Sequence, residues 1–318
     1  MSQLALKNSL LALVLISAGL IACTTGAVAA DDLGPGNTRY SLDVGGRTRT
    51  YILHVPAGAN TSKPLPLVLA LHGGGGNAAG NIKQTGFNDE ADRSGFIVAH
   101  ANGTAQPRPL LNALGKGFLF TWNAGSCCGY AKENKIDDVG FLRAVVHDVQ
   151  GKLAVDPKRI YATGISNGGM MSYRVACEAS DLIAAIGVVS GAQTVSSCSP
   201  SGAVSVIHIH GSADQNVPLL GGVGAKSFDK DPKPPVVESI NFWVRKLGAP
   251  AQPQSSTTGN VRKDVYKGSA GEVVFYLISG GGHSWPGGDR MLDSLDPPSS
   301  DMAATSVIWQ FFAAHPKR

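Results

Sequence analysis

Ten consecutive residues constrain the fold of this chain more than any others: Ile160-Tyr161-Ala162-Thr163-Gly164-Ile165-Ser166-Asn167-Gly168-Gly169. They read as a short buried strand that runs into Gly-x-Ser-x-Gly and then directly into a helix over 170–177. A turn this sharp holds its central serine in a strained backbone, and glycines two residues either side leave room for it. It also lifts the Ser166 hydroxyl off the sheet edge, with the Asn167 amide and the helix N-terminus facing the same space. The chain has 40 glycines, so the bare pattern is expected by chance; the strand before it and the helix after it set this copy apart. The competing reading is a tight turn whose serine only caps the helix.

Other strand ends carry the groups such a serine would need. Residues 65–71 form a continuous apolar run, as in a central parallel strand buried on both faces, and end in His72-Gly73-Gly74-Gly75-Gly76-Asn77. Glycines there let backbone amides approach a substrate carbonyl, so Gly73, Gly74 and the Asn167 amide are the candidate oxyanion donors. A second apolar run, 204–210, leads into Gly211-Ser212-Ala213-Asp214. Asp214 is the candidate acid; Asp229 and Asp231 compete, but no strand leads into their Lys/Pro-rich stretch. Of the eight histidines, His283 follows a predicted strand and lies within Gly280-Gly281-Gly282-His283-Ser284-Trp285-Pro286-Gly287-Gly288. His100, His208 and His210 sit in or at the end of predicted strands and His147 in a predicted helix, which suits core or supporting roles.

The order Ser166, Asp214, His283 is that of the α/β-hydrolase triad and differs from the chymotrypsin-like and subtilisin-like orders. The expected fold is therefore α/β: an α/β-hydrolase-like three-layer sandwich with a mostly parallel central sheet. A hairpin at Gly45-Gly46 (38–44 and 47–55) opens it, with parallel strands near 65–71, 95–100, 159–164, 184–190, 204–210 and 273–279. Helices between them form the outer layers. Asp137 or Asp138 caps a helix running to about residue 153, and a last helix covers 301–314.

The same strings resemble those of the secreted esterases grouped with polyhydroxybutyrate (PHB) depolymerases and feruloyl esterases. They are His72-Gly73-Gly74-Gly75-Gly76-Asn77, Thr121-Trp122-Asn123-Ala124-Gly125-Ser126-Cys127-Cys128-Gly129, Asp137-Asp138-Val139-Gly140-Phe141-Leu142, Gly164-Ile165-Ser166-Asn167-Gly168-Gly169-Met170-Met171, His210-Gly211-Ser212-Ala213-Asp214 and His283-Ser284-Trp285-Pro286-Gly287. The likeness runs from about Arg39 to the C-terminal helix, and Ser166, Asp214 and His283 fall on the family's triad positions. It implies a serine carboxylic ester hydrolase acting on hydroxyalkanoate oligomers or feruloyl or acetyl-type esters through an acyl-enzyme. Alternatives are a serine peptidase on the same fold and a non-catalytic binding protein that retains it. Depolymerases of solid polymer usually carry a polymer-binding domain after the catalytic one. No separate polymer-binding domain is expected here, which moves weight toward soluble or oligomeric ester substrates.

Lys7 and the apolar run 10–22 read as a signal peptide within residues 1–30, too short for a membrane span. Leu20-Ile21-Ala22-Cys23 resembles a lipoprotein signal that leaves a lipid anchor at Cys23, whereas Ala27-Val28-Ala29 or Val28-Ala29-Ala30 suits ordinary signal peptidase. Either way the protein is expected in the periplasm or cell envelope or outside the cell, with residues 31–318 as one catalytic domain. Outside the cytoplasm, four remaining cysteines imply disulfides. Cys177 ends a helix and Cys198 follows the next strand, so these two are the expected pair; Cys127 and Cys128 form a vicinal ring or stay reduced. No metal site and no cofactor are expected. Charged residues make up only 16% with a net of +4 and no basic stripe, which excludes a nucleic-acid partner. Trp122, Trp285 and His72 are candidate substrate-binding residues, the two indoles as walls for the acyl group or as ordinary loop packing. Segments 106–117 and 218–235 read as surface insertions over the strand ends.

Overall fold

Alternate side chains of one strand feed two separate cores. Along β3 (Leu65–Leu71), Leu67, Leu69 and Leu71 enter one apolar cluster and Val68 and Ala70 the other, the period of two that a strand covered on both faces requires. The computed structural model describes residues 36–107, 119–291 and 295–318. The predicted leader, Cys23 and most of the predicted insertion 106–117 lie outside these residues.

The other strands are β1 (Asn37–Val44), β2 (Arg47–His54), β4 (Ile97–Ala101), β5 (Val155–Ile165), β6 (Ala185–Val189), β7 (Ser205–Gly211), β8 (Gln254–Thr258), β9 (Val261–Lys267) and β10 (Glu272–Ile278). They form one sheet in the order β1-β2-β4-β3-β5-β6-β7-β10-β9-β8. The middle six are parallel, and both edges are closed by antiparallel pairs. The helices are α1 (Ala78–Thr85), α2 (Phe87–Ser94), α3 (Gly129–Glu133), α4 (Asp138–Lys152), α5 (Asn167–Glu178), α6 (Val236–Lys246) and α7 (Ala304–Ala314). Phe141 of α4, Tyr173 of α5 and Trp243 of α6 fill one core; Phe87 of α2 and Ile308 and Phe312 of α7 fill the other. Tyr161 of β5 stacks on Phe312 with ring centroids 4.6 Å apart. Helix–sheet–helix layering follows, in the α/β fold class read from the sequence. These residues belong to one compact unit, Asp32–Arg318. No helix among the described residues is long and apolar enough to cross a membrane.

Departures from the sequence reading have local causes. β8 is exposed at every position, and β9 buries Val261 and Asp264 among charged residues, so this edge hairpin turned by Gly259-Asn260 carries no continuous apolar run in its sequence. Gly95 does not begin β4; at φ 73° it ends α2 by donating its N–H to the Ala91 carbonyl. α6 follows the predicted insertion 218–235, and its Val236, Ile240, Trp243 and Val244 are buried. Between the two acids before α4, Asp137 is the cap, accepting from the Gly140 N–H at 2.8 Å. Asp138 is fully buried and pairs with Arg49 at 2.7 Å.

Cys177 and Cys198 are joined, with Cα atoms 4.9 Å apart, and pin the end of α5 to the segment after β6. Cys127 and Cys128 are joined to each other. Opening the Cys177–Cys198 link, which spans 21 residues, should cost about 3 kcal/mol by releasing closed-loop entropy to the unfolded chain. Paired urea titrations of the protein and of Cys177→Ala/Cys198→Ala measure this; coincident midpoints would show that the link does not stabilise the fold.

Candidate active site

α5 begins where β5 stops, and the junction is possible only because two residues lack Cβ. A Cβ on Gly164 would sit 2.6 Å from the Leu71 carbonyl oxygen and from the Gly168 carbonyl carbon. One on Gly168 would collide with the carbonyl oxygens of Leu71 and His72. The helix therefore seats directly on the end of β3. Ser166, caught between, adopts φ 55° and ψ −123°, positive-φ backbone that a non-glycine residue occupies only when its surroundings hold it there. Its N–H donates to the Val189 carbonyl of β6 at 2.9 Å, and its side chain is half-buried.

The glycine loop after β3 lies against this turn. A Cβ on Gly73 would stand 3.6 Å from Cβ of Ser166, and one on Gly74 would stand 3.6 Å from Cβ of Asn167. The Gly75 N–H donates to Phe120 at 2.8 Å and that of Gly76 to Gly73 at 3.0 Å. The Gly73 and Gly74 amides have no such partner among the described residues, and Asn167 is the first residue of α5, where amides lack an intrahelical acceptor.

β7 and β10 are neighbours, so the loops that follow them meet. Ser212 donates its N–H to Ile278 and Ala213 donates to Gly281, each at 2.9 Å. His283 Nδ1 donates to Asp214 Oδ2 at 2.8 Å, and both residues are buried. Asp214 Oδ1 accepts the N–H groups of Asn216 and Val217, each at 2.8 Å. It is thus both the turn-capping residue and the imidazole's partner. Burial alone would raise its pKa, but the His283 hydrogen bond and the neighbouring imidazoles hold the carboxyl below its ordinary range. Asp229 and Asp231 are engaged elsewhere: Asp229 lies 3.4 Å from Lys233 Nζ, and Asp231 pairs with Lys132. Asp229 is largely buried beside its lysine, whereas Asp231 stays 40% exposed beside Lys132.

With this geometry in place, comparison with known proteins is decisive. The family model described as Esterase PHB depolymerase matches residues 49–241. The chain belongs to this PHB depolymerase esterase family. Feruloyl esterase C of Emericella nidulans is 31% identical over 84% of this chain and 84% of its own length. A Nocardia uniformis subsp. tsuyamanensis protein named as an esterase, NocK, is 32% identical over 79% of this chain and 74% of its own. Feruloyl esterase B of Piromyces equi is 31% identical over 74% of this chain, which spans 42% of that relative. Among solved structures, acetyl xylan esterase from Aspergillus awamori superposes with a TM-score of 0.56 at 16% identity, over 78% of this chain and 94% of that one; this likeness is one of fold.

Three sequence candidates are placed differently in this esterase from what the sequence suggested. Trp122, Trp285 and His72 are each at most 1% exposed, so none offers a face to a substrate. The Trp122 indole donates to the His72 carbonyl at 3.0 Å, and its backbone N–H and carbonyl are held by the Asn167 side chain at 2.7 and 3.0 Å. Trp285 donates to Thr305 and meets Phe87 edge-on. His72 donates from Nδ1 to the Gly73 carbonyl at 2.7 Å and accepts the Gly103 N–H on Nε2 at 3.0 Å, which shapes the glycine loop. Apolar flanks that look like site walls in sequence are packed beneath the site because large rings gain most from full burial. Asp296 was missed: its Oδ2 accepts the His283 N–H and its Oδ1 the Lys226 ammonium, each at 2.8 Å. No local pattern marks it, since it lies 13 residues from His283.

Among the described residues, Cys127, Cys128 and Asp229 are grouped closely enough to hold a metal ion. Their sulfurs are bonded to each other, and Lys233 places a cation beside the carboxylate. This arrangement does not fit a metal.

Burial holds the His72 imidazole down to about 4 and lowers His208 and His210, so all three fold as neutral rings. The unfolded chain takes up these protons near pH 6.5, so it binds more protons than the fold just below that pH. Stability should fall as pH drops below about 6.5, with a slope that rises toward about 1.4 kcal/mol per pH unit for each ring. Urea midpoints at pH 7 and pH 5.5 test this; an unchanged midpoint would mean the rings are charged in the fold.

Proposed function

We propose that this esterase is a serine carboxylesterase exported from the cytoplasm, acting through an acyl-enzyme on soluble feruloyl, acetyl or hydroxyalkanoate esters. The observation that carries this reading is the His283–Asp214 hydrogen bond on the same sheet end as the Ser166 turn. With Nδ1–H committed to Asp214, neutral His283 has its lone pair on Nε2 and acts as base toward Ser166 Oγ. As Oγ adds to the ester carbonyl, the oxyanion is held by the Asn167 amide and by the Gly73 or Gly74 amide, each donor contributing ~3 kcal/mol. His283 then protonates the departing alkoxide, and water repeats the sequence on the acyl-enzyme. The disulfide-bonded cysteines and the predicted leader support export.

Two exposed apolar side chains support an apolar acyl or aryl group in the substrate. Phe228, 59% exposed, reaches within 2.6 Å of where a Cβ on Gly74 would stand; Leu119, 60% exposed, comes within 3.7 Å of that on Gly75. They flank the proposed oxyanion loop and take the place of the two buried indoles as the acyl wall.

Ser166→Ala should lower ester turnover by several orders of magnitude and abolish fluorophosphonate labelling. Asp214→Asn should cost ~10⁴ by presenting the wrong partner to the imidazole, whereas Asp229→Asn and Asp231→Asn should change turnover less than about tenfold. A labelled, active Ser166→Ala protein would remove the serine from the mechanism, and a faster aryl amide than aryl ester would favour a peptidase.

Phe228→Ala should lower kcat/KM for feruloyl or long-acyl aryl esters about tenfold, as loss of about 1.5 kcal/mol of apolar contact implies, and leave acetyl esters nearly unchanged. Equal losses on both substrates would show that the ring shapes the loop and does not bind the acyl group.

A further inference from the structure

A file of buried polar side chains runs from Asp214 into the core between the sheet and α5. His210 Nε2 lies 2.9 Å from the Val217 carbonyl oxygen, which can only accept, so Nε2 carries a proton. His210 and His208 are fully buried, and desolvation keeps both rings neutral. His210 Nδ1 is then a bare lone pair, and His208 Nε2, 3.1 Å away, must donate to it. His208 Nδ1 is in turn an acceptor, and it faces the Tyr173 hydroxyl at 2.7 Å. One carbonyl at the end of the file thus sets every proton in it: Tyr173 to His208 to His210 to Val217.

That file ends on the carboxylate proposed as the triad acid. His210 Nε2 lies 3.5 Å from Asp214 Oδ2, the oxygen that binds His283. Val217, whose carbonyl takes the His210 proton, gives its own N–H to Asp214 Oδ1 at 2.8 Å. Reversing the His210 tautomer would turn a lone pair toward both the Val217 carbonyl and the Asp214 carboxylate. We propose that Tyr173, His208 and His210 are positioning residues that lock His210 with its Nε2–H toward Asp214 and Val217, and so hold the carboxylate in register with His283. This role rests on the triad reading given above.

Elements around the file leave little else to titrate against it. Val188 of β6 and Phe275 of β10 stand opposite His208 in the register, and the Phe275 ring meets His208 edge-on at 5.7 Å. Leu277 of β10 stands opposite His210. Among the described residues, the ionisable groups facing the file are Tyr173 from α5, Asp214 from the loop after β7, and His283 from the loop after β10.

Long-range ¹H–¹⁵N spectra of the labelled wild-type protein between pH 5 and 8 test the tautomers directly. His208 and His210 should both appear as neutral Nε2–H rings that do not titrate; an Nδ1–H signal or a titration at either ring would overturn the proposal. Three variants read the consequence. In Tyr173→Phe, His208 should remain Nε2–H because His210 Nδ1 still accepts its proton, and kcat should fall by less than in His210→Leu, with KM unchanged; a His208 that changes tautomer here would overturn the proposal. His210→Leu removes the donor; the less stabilised carboxylate holds the His283 proton more tightly, so kcat should fall at least tenfold and the acid limb of kcat/KM should move to higher pH. His210→Gln, whose amide reaches the Nε2 position, should restore kcat to within about threefold and return the limb. Wild-type kcat and an unmoved limb in soluble His210→Leu would overturn the positioning role. If wild-type protein resists fluorophosphonate, the triad reading itself falls, even with the tautomer spectrum as expected.

Discussion

Everything at the site depends on how closely the first turn of α5 is seated on the end of β3. The Leu71 and His72 carbonyls lie where Cβ atoms of Gly164 and Gly168 would be, so helix and strand approach at backbone contact. That contact forces Ser166 into positive φ, brings Gly73 beside it and Gly74 beside Asn167, and aims unpaired helix amides at the same point. A methyl group at either glycine would separate the Ser166 turn from the glycine loop after β3. Strain at Ser166 is held by its surroundings: its N–H is tied to β6, and Met170 donates to its carbonyl at 2.8 Å.

Around this contact, the site is built by cross-bracing between loops. The Asn167 side chain mimics a backbone edge for Trp122, the Trp122 indole holds His72, and His72 holds both Gly73 and Gly103. On the other side, Asp296 ties the His283 backbone to Lys226. A buried polar group is costly unless paired, so the buried connections through Asn167, Trp122 and His72 rigidify what would otherwise be glycine-rich loops. Buried imidazoles serve the same end. Desolvation keeps them neutral, and a neutral ring, with one donor and one acceptor, transmits direction along a hydrogen-bond file as a charged ring cannot.

Much of this was legible in the chain. Buried parallel strands are apolar on both faces, so the six central strands stand out as continuous runs, and their ends are where an α/β sheet collects its functional loops. Ser166, Asp214 and His283 each follow such a run, which is why order and spacing sufficed to nominate them. β8 and β9 were not legible, because β8 is exposed throughout and the buried positions of β9 alternate with charged residues and include Asp264. Asp137 and Asp138 are equivalent as caps in the sequence; the buried pairing of Asp138 with Arg49, from β2, is a tertiary contact that leaves Asp137 as the cap.

The sequence by itself determined the opening hairpin and the six parallel strands, the strand-to-helix turn at Ser166, the cysteine pair Cys177–Cys198 and the family, because these are set by neighbours along the chain. Tertiary structure alone decided which apolar side chains lie exposed at the candidate site. It buried Trp122 and Trp285 and left Phe228 and Leu119 exposed beside the glycine loop. It bound Asp229 and Asp231 to lysines, brought Asp296 to His283, and lined up Tyr173, His208 and His210 behind Asp214. Local patterning records whether a side chain is buried on average, whereas what it touches once buried is settled by elements distant in sequence that pack against it.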